Sequence, residues 1–446
     1  MKEKDSRFLV LITIVATLGG LLFGFDEAVI SGVTPFIQPY FQLNDIALGW
    51  TVSSLLIGCI IGVILSGKPG DIFGRRKMLL AAAILFVISA IGSALSTHLA
   101  VFISCRFFGG ISVGAASMLS PMYISEIAPA EKRGSLVSLN QLAIVTGDLV
   151  AYFSNYLLSG TGEQNWRWML AVMAVPAFIF FVSLIFVPES PRWLMQHNRK
   201  DESFKILKRI NGAGSAATEL AAIEASIASE EPASYREVFS KRMRYILWVG
   251  ILLAVFQQVT GINAIMYYAP MIFKNLGNGI DSALIQTAIL GGVLFLFTLV
   301  AIRWIDRWGR KPLMIWGTIG MAASLTMVAI AYFLNKLEGY FILLFFLIYM
   351  ASFAASIGPV TWVMVSEIFP NKIRSKAMSV AIVALWIANF LVTLTFPVIL
   401  NRLGGGVAFL IFDVMCVLLL LFVIFKLPET KGKSLEELEN IFLKRR

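Results

Sequence analysis

Gly70-Asp71-Ile72-Phe73-Gly74-Arg75-Arg76-Lys77 separates two long apolar runs, and the chain writes it again as Ile305-Asp306-Arg307-Trp308-Gly309-Arg310-Lys311. Around it the echo continues. Ser125-Glu126-Ile127-Ala128-Pro129 with Arg133 recurs as Ser366-Glu367-Ile368-Phe369-Pro370 with Arg374, and Pro188-Glu189-Ser190 recurs as Pro428-Glu429-Thr430. The pairs keep their order and nearly the same separation, so one half of the chain repeats the other. A parallel repeat of this kind predicts two related helical bundles about an axis along the membrane normal, with a site between them.

Composition points to lipid as the solvent. Hydrophobic residues make up 58% and charged residues 14%, against roughly 25% charge in soluble domains. The mean hydropathy is +0.80. The net charge of +10 does not indicate nucleic acid, because the basic residues are spread over short loops between apolar runs. Cys59, Cys105 and Cys416 lie inside apolar runs and read as packing residues. His98 and His197 stand apart from any second ligand cluster, so no metal or cofactor is expected. No nucleophile–base pair or phosphate loop is found, and an enzyme is not expected.

Each crossing helix needs about 20 mostly apolar residues. On that measure spans fall near 8–36, 47–67, 78–97, 99–122, 135–158 and 168–188, then 244–273, 281–302, 312–333, 339–366, 376–399 and 405–427. The expected fold is an all-α membrane protein of twelve transmembrane helices in two six-helix bundles. Its divisions are an N-terminal bundle (1–190), a cytoplasmic helical linker (191–243), a C-terminal bundle (244–428) and a cytoplasmic C-terminal helix (429–446). In that last segment Ser434 and Glu437 have capping-box spacing. All lysines and arginines except Arg106, Arg167, Lys274, Lys336 and Arg402 fall on one side of this topology. The positive-inside rule then puts both termini in the cytoplasm of a multi-pass protein of the cell (inner) membrane.

Three kinds of polar residue stand out. Asp71, Arg75, Glu126 and Arg133, with Asp306, Arg310, Glu367 and Arg374 in the other half, read as a charge network closing the cytoplasmic face. Topogenic basic loops with helix capping are the alternative. Asp26, Arg106 and Asp148 lie at membrane depth, where ionisable groups are costly and usually functional. An aspartate that gains or loses Arg106 could load and release a proton; a static ion pair is the other reading. Glu27 points about 100° away from Asp26, so at most one of the two acids faces Arg106 squarely. Gln257, Gln258 and Asn263 in span 7 offer donors and acceptors together, which suits a hydroxyl-bearing ligand, although interhelical hydrogen bonding is a standing alternative. Trp362 and Trp386 supply flat apolar faces, and Gln141 and Asp148 share one stripe of span 5.

Asp71 to Arg76, Arg106 to Gly110, Pro188-Glu189-Ser190-Pro191-Arg192-Trp193-Leu194, Gln257-Gln258 through Asn263, and Pro428-Glu429-Thr430-Lys431-Gly432 together resemble the sugar porters of the major facilitator superfamily. The likeness covers essentially the whole chain, and its nearest look is that of bacterial proton-coupled xylose, arabinose and glucose symporters. The resemblance implies the major facilitator fold, alternating access, and import of a small sugar (pentose, hexose or deoxysugar) with protons, by a chain working as a monomer in the lipid bilayer. It implies Gln141, Gln257, Gln258, Asn263 and Trp362 as sugar contacts, with Trp386 a nearby wall and Tyr267 and Tyr268 as gate residues. Asp26 beside Arg106 becomes the proton-linked acid, because uncoupled relatives carry asparagine there.

The chain departs from the family pattern at three places. Leu294 and Leu385 stand where carriers of xylose and glucose place amides, and Asp148 stands where the xylose carrier has glutamine. A site that cannot pair a buried hydroxyl rejects it, so these changes favour a sugar with a missing or inverted hydroxyl. Asp148 reads equally as a sugar contact, a second proton or cation site, or a buried acid bonded to backbone. An uncoupled facilitative carrier and a transporter-like sugar receptor are the competing functions.

Overall fold

A computed structural model describes residues 6–129, 132–229, 235–241, 243–335, 339–370 and 373–431. In the first half these form α1 (Ser6–Tyr40), α2 (Asp45–Phe73), α3 (Arg75–Leu95), α4 (Leu99–Ile127), α5 (Arg133–Leu158), α6 (Asn165–Ala171) and α7 (Ala174–Phe186). A series of shorter helices follows: α8 (Pro191–Gln196), α9 (Lys200–Asn211), α10 (Ala213–Ser229) and α11 (Tyr235–Val238). The second half holds α12 (Arg244–Val259), α13 (Ile262–Asn275), α14 (Ile280–Trp308), α15 (Arg310–Phe333), α16 (Gly339–Ala354), α17 (Ile357–Ile368) and α18 (Arg374–Lys426). No strand occurs among the described residues. Helices satisfy their own backbone polar groups, which is what allows them to cross hydrocarbon.

Among the described residues, eleven helical stretches are long and apolar enough to span a bilayer. The last of them, Lys376–Lys426, has 51 residues, and at 1.5 Å rise it would extend well past the roughly 30 Å hydrocarbon core. It is two helices merged across Gly404, whose φ of 82° and ψ of 159° are not helical. Counted as two, it brings the stretches to the twelve that hydropathy indicates.

Several spans are discontinuous where the hydropathy pattern reads as continuous. The expected span 244–273 breaks between α12 and α13 at Thr260-Gly261. Gly261 sits in the left-handed region at φ 94°, a conformation that costs other L-residues about 1–2 kcal/mol. A Cβ there would also lie 2.4 Å from the Phe412 ring. Tyr349 donates its hydroxyl to the Thr260 carbonyl at 3.0 Å, satisfying a group next to the break. A similar interruption separates α16 from α17.

The chain clusters into two compact units. The first comprises Met1–Asp26, Gly58–Asp148 and Leu170–Pro232, and the second Glu27–Ile57, Leu149–Met169 and Ala233–Arg446. This partition differs from the division at 190 and 244 suggested by the repeat. Its cause lies inside the second unit, where helix ends from the first half of the chain pack on helices from the second half. Gly49 lies against the Leu394 carbonyl and Gly291 against the Tyr152 ring. Ser159 donates to Asp281 at 3.0 Å, and Asn401 to Asp45 at 2.7 Å. These contacts lie toward the helix ends remote from the basic loops.

The short amphipathic helices expected after the sixth span are present as α8 to α11. Helix α9 has Asp201 and Glu202 in its first turn and Lys208 and Arg209 in its last, an order that suits the helix dipole. Leu207, Ala216 and Leu220 form a small apolar core with Met195, Phe204 and Ile223. The Arg209 guanidinium lies 3.6 Å from the centre of the Phe8 ring, fastening α9 to the start of α1. Beyond Lys431 the expected C-terminal helix, with Ser434 and Glu437, lies outside the described residues.

Candidate functional site

Within the first unit, Asp26 on α1 and Arg106 on α4 form a buried ion pair, with the residues 0% and 1% exposed. Arg106 Nη1 donates to Asp26 Oδ1, and Nη2 donates to the Asp26 backbone carbonyl at 3.0 Å. The guanidinium therefore grips one carboxylate oxygen and the main chain, not both carboxylate oxygens. Asp26 Oδ2 is buried with no hydrogen-bond partner, as is Ser89 Oγ. Both lie against Gly109, where a Cβ would stand 2.3 Å from Ser89 Oγ and 3.0 Å from Asp26 Oδ2. Glycine at 109 thus lets α4 approach the carboxylate closely. Gln141 and Asp148 are half-buried on α5 in the same unit, and α5 meets α1 backbone to backbone at Gly24 and Gly147.

The basic-loop motifs of this unit also come together. Arg75 Nη2 lies 3.1 Å from Asp71 Oδ1 and 3.0 Å from Glu126 Oε1, and Nη1 donates to the Gly70 carbonyl at 2.9 Å. Glu189, which the sequence marked as part of a repeat and of a family motif without a role of its own, accepts the Arg76 backbone N–H at 3.1 Å. Its carboxylate sits at the positive N-terminus of α3, where an anion is stabilised. Arg133 is exposed at the start of α5.

The second unit repeats this chemistry. Arg310 Nη2 pairs with Glu367 Oε1 at 2.9 Å, while Glu429 accepts the backbone N–H groups of Arg310 and Lys311 at 3.1 and 3.0 Å. Thr430 Oγ1 donates to Glu367 Oε2 at 2.6 Å. Arg374 donates Nε to the Phe369 carbonyl at 3.3 Å, and burial pulls its guanidinium below the usual range. The Asp306 side chain lies outside the described residues. The echo read from sequence is therefore an echo in geometry: arginine to glutamate, and a second glutamate on the following helix start. It pairs charges within each unit.

The amides of span 7 gather around the α12–α13 break. Gln257, 4% exposed, donates Nε2 to the Gly358 carbonyl on α17 at 2.9 Å. Its Oε1 is buried without a hydrogen-bond partner, as is Thr361 Oγ1 one helical turn along α17 from Gly358. Asn263 donates to Gln258 Oε1 at 2.9 Å across the break. A buried acceptor and a buried hydroxyl left unpaired are costly unless a ligand completes them. Trp362 is half-buried on α17, and Trp386, Leu385 and Leu294 are buried on α18 and α14. Tyr267 and Tyr268 are both buried on α13, and Tyr268 donates to the Thr393 carbonyl at 3.0 Å.

Sequence reasoning passed over Asn389 and Asp413, and placed Glu27 only by its angle from Asp26. Asn389 donates Nδ2 to the Tyr267 hydroxyl at 3.4 Å, Glu27 accepts from that hydroxyl at 2.9 Å, and buried Asp413 on α18 bonds Thr326 Oγ1 at 2.8 Å. Each is an amide or acid inside an apolar run, the same signal that marked Asp26. No group of three or more histidine, cysteine or acidic side chains able to share a metal ion occurs among the described residues.

A family model described as "Sugar (and other) transporter" matches residues 12–442. The arabinose–proton symporter of Bacillus subtilis is 44% identical over 449 residues, covering 99% of this chain and 97% of its own length. The D-xylose–proton symporter of Escherichia coli is 42% identical over 482 residues, with 99% and 97% covered. Among solved structures, the inward open conformation of the xylose transporter from E. coli matches with a TM-score of 0.87 and 42% identity, covering 97% of this chain and 99% of that one.

Proposed function

The chain belongs to the sugar transporter family, with the major facilitator fold, and from that premise we propose that it moves a small sugar with protons by alternating access. The observation that carries the proposal is the one-oxygen grip of Arg106 on Asp26. Because Oδ1 stays with the guanidinium, the buried Oδ2 is free to take a proton without the pair first coming apart. Protonation removes the charge that Arg106 answers, and so weakens the tie between α1 and α4. That gives a proton a way to bias one arrangement of helices over another, as a differential ligand must.

Gln257, Gln258, Asn263 and Thr361 supply the hydrogen-bonding side of the sugar site, and Trp362 and Trp386 its apolar faces. The family's substrates are hydroxyl-rich, and Gln257 Oε1 and Thr361 Oγ1 are an acceptor and a donor awaiting hydroxyls. Leu294 and Leu385 are both buried, and they remove two polar contacts from such a site. They favour a sugar with a missing or inverted hydroxyl, such as a deoxysugar, over an ordinary pentose or hexose.

The test uses cells or proteoliposomes in lightly buffered medium. Pentoses, hexoses and deoxysugars are added in turn, and external pH is followed with uptake. The expected result is alkalinisation with at least one of these sugars, tracking its uptake. Uptake without any alkalinisation would replace symport by facilitated diffusion, and binding without uptake would make the protein a receptor.

A further inference from the structure

Asp26 and Glu27 are consecutive, yet the division between the two compact units falls between them. Asp26 turns to Arg106, and Glu27, about 100° further round α1, faces α13. There Tyr267 donates its hydroxyl to Glu27 Oε1 at 2.9 Å. A phenol has one proton to give, so with that proton on Glu27 its oxygen can only accept, and it accepts from Asn389 Nδ2 at 3.4 Å. Asn389 Oδ1 in turn accepts from Thr393 Oγ1 at 3.1 Å. Thr393, Asn389 and Tyr267 thus donate one to the next, and the series ends on a carboxylate. Bonds to an ionised acceptor are about twice as strong as neutral ones.

The placement of the series matters as much as its strength. Tyr267 lies in the second turn of α13, the half-helix that starts at left-handed Gly261. Asn389 and Thr393 are one turn apart on α18. Glu27 is the member of the series from the first half of the chain. We propose that Glu27 is a positioning residue for transport: a latch that ties α1 to α13 and must let go before the gate of Tyr267 and Tyr268 opens. This rests on the transport reading above and adds a residue to it. The reaction's proton stays on Asp26, and the latch acts through the hydroxyl of Tyr267.

The test uses the full chain in proteoliposomes, with Cys59, Cys105 and Cys416 replaced. Gln38→Cys on α1 and Asn275→Cys on α13 are introduced, since both residues line one cavity of about 530 Å³ with Lys274 and Asn401. A short bifunctional thiol reagent then reports how often the two helices are together, with no sugar present. Glu27→Ala and Tyr267→Phe are each expected to lower the cross-linking rate about tenfold, the loss of one charge-assisted hydrogen bond. The double variant should fall no further. Glu27→Gln keeps an acceptor and should lose only a few-fold, and it serves as the folded control. Rates unchanged in the single variants, or losses that multiply in the double one, overturn the latch.

A second readout separates positioning from general damage. If the latch opposes outward opening, Glu27→Ala should lower the half-saturating sugar concentration from the outer side, because the binding-competent fraction rises. An unchanged or raised value contradicts the proposal. Failure of the wild type to move any sugar with protons would sink the transport reading alone, since the cross-linking measurement needs no substrate.

Discussion

Asp26→Asn asks how many protons travel with each sugar. Asparagine keeps an oxygen for Arg106 Nη1, and the backbone carbonyl still accepts from Nη2 at 3.0 Å, so the link from α1 to α4 keeps its shape. What disappears is the buried oxygen that could hold a proton. Breaking a buried ion pair costs about 3–5 kcal/mol when the remaining charge is left bare; with both acceptors retained, a loss near the lower end is expected. One carboxylate carries one proton, and one pH unit across the membrane is worth about 1.36 kcal/mol per proton, or a factor of ten. Proteoliposomes made acid outside by one unit, with no electrical potential, should therefore accumulate labelled sugar about tenfold with the wild type. Asp26→Asn should reach equal concentrations on both sides and still exchange labelled for unlabelled sugar. Tenfold accumulation by the variant would refute Asp26 as the coupling acid. A hundredfold accumulation by the wild type would mean a second proton site.

Gly109→Ala places a methyl group against Ser89 Oγ and Asp26 Oδ2. The serine can rotate but the carboxylate must shift, so about 1–3 kcal/mol of strain is expected, with coupled accumulation reduced more than exchange. Gly261→Ala combines an unfavourable left-handed backbone with a clash on Phe412, and should lower the thermal midpoint in detergent and transport together; a midpoint and a rate both like the wild type would show that the break can relax. Glu126→Gln weakens the grip on Arg75, and Glu367→Gln the grip on Arg310. If these clusters hold the cytoplasmic face closed, each variant should raise the labelling of cysteines introduced on that face, and unchanged labelling would return the clusters to simple capping. Gln257→Ala removes the buried Oε1 and the bond to Gly358, and sugar affinity should fall about tenfold, consistent with one or two hydrogen bonds; calorimetric titration reads it directly.

Much of the fold was legible because lipid imposes a simple rule on sequence. Twenty apolar residues cross, and basic loops mark one side. The paired motifs were legible because a carboxylate repeated beside an arginine has few jobs at a helix end, and Arg75–Glu126 and Arg310–Glu367 do meet. Hydropathy is blind to backbone dihedrals, however, so the break at Gly261 was invisible in it, whereas the gap it left between 399 and 405 is where Gly404 interrupts the helix. Glu27 was seen only as a neighbour that could not share Arg106. Its partner lies 240 residues away on another helix, and no local pattern announces such a meeting. Glu189 and Glu429 were recognised as repeated letters, but their use as helix-end acceptors depends on where the chain returns after a bundle.

Glu429 also bears on where the polypeptide can be shortened or extended. It holds the first amides of α15, Thr430 bonds Glu367, and Lys431 reaches the Arg307 carbonyl at 2.5 Å. A fluorescent tag joined after Lys431 leaves every one of these fastenings in place. Removing everything after Leu427 would strip two amides of their acceptor and take the hydroxyl partner from Glu367, loosening the root of α15.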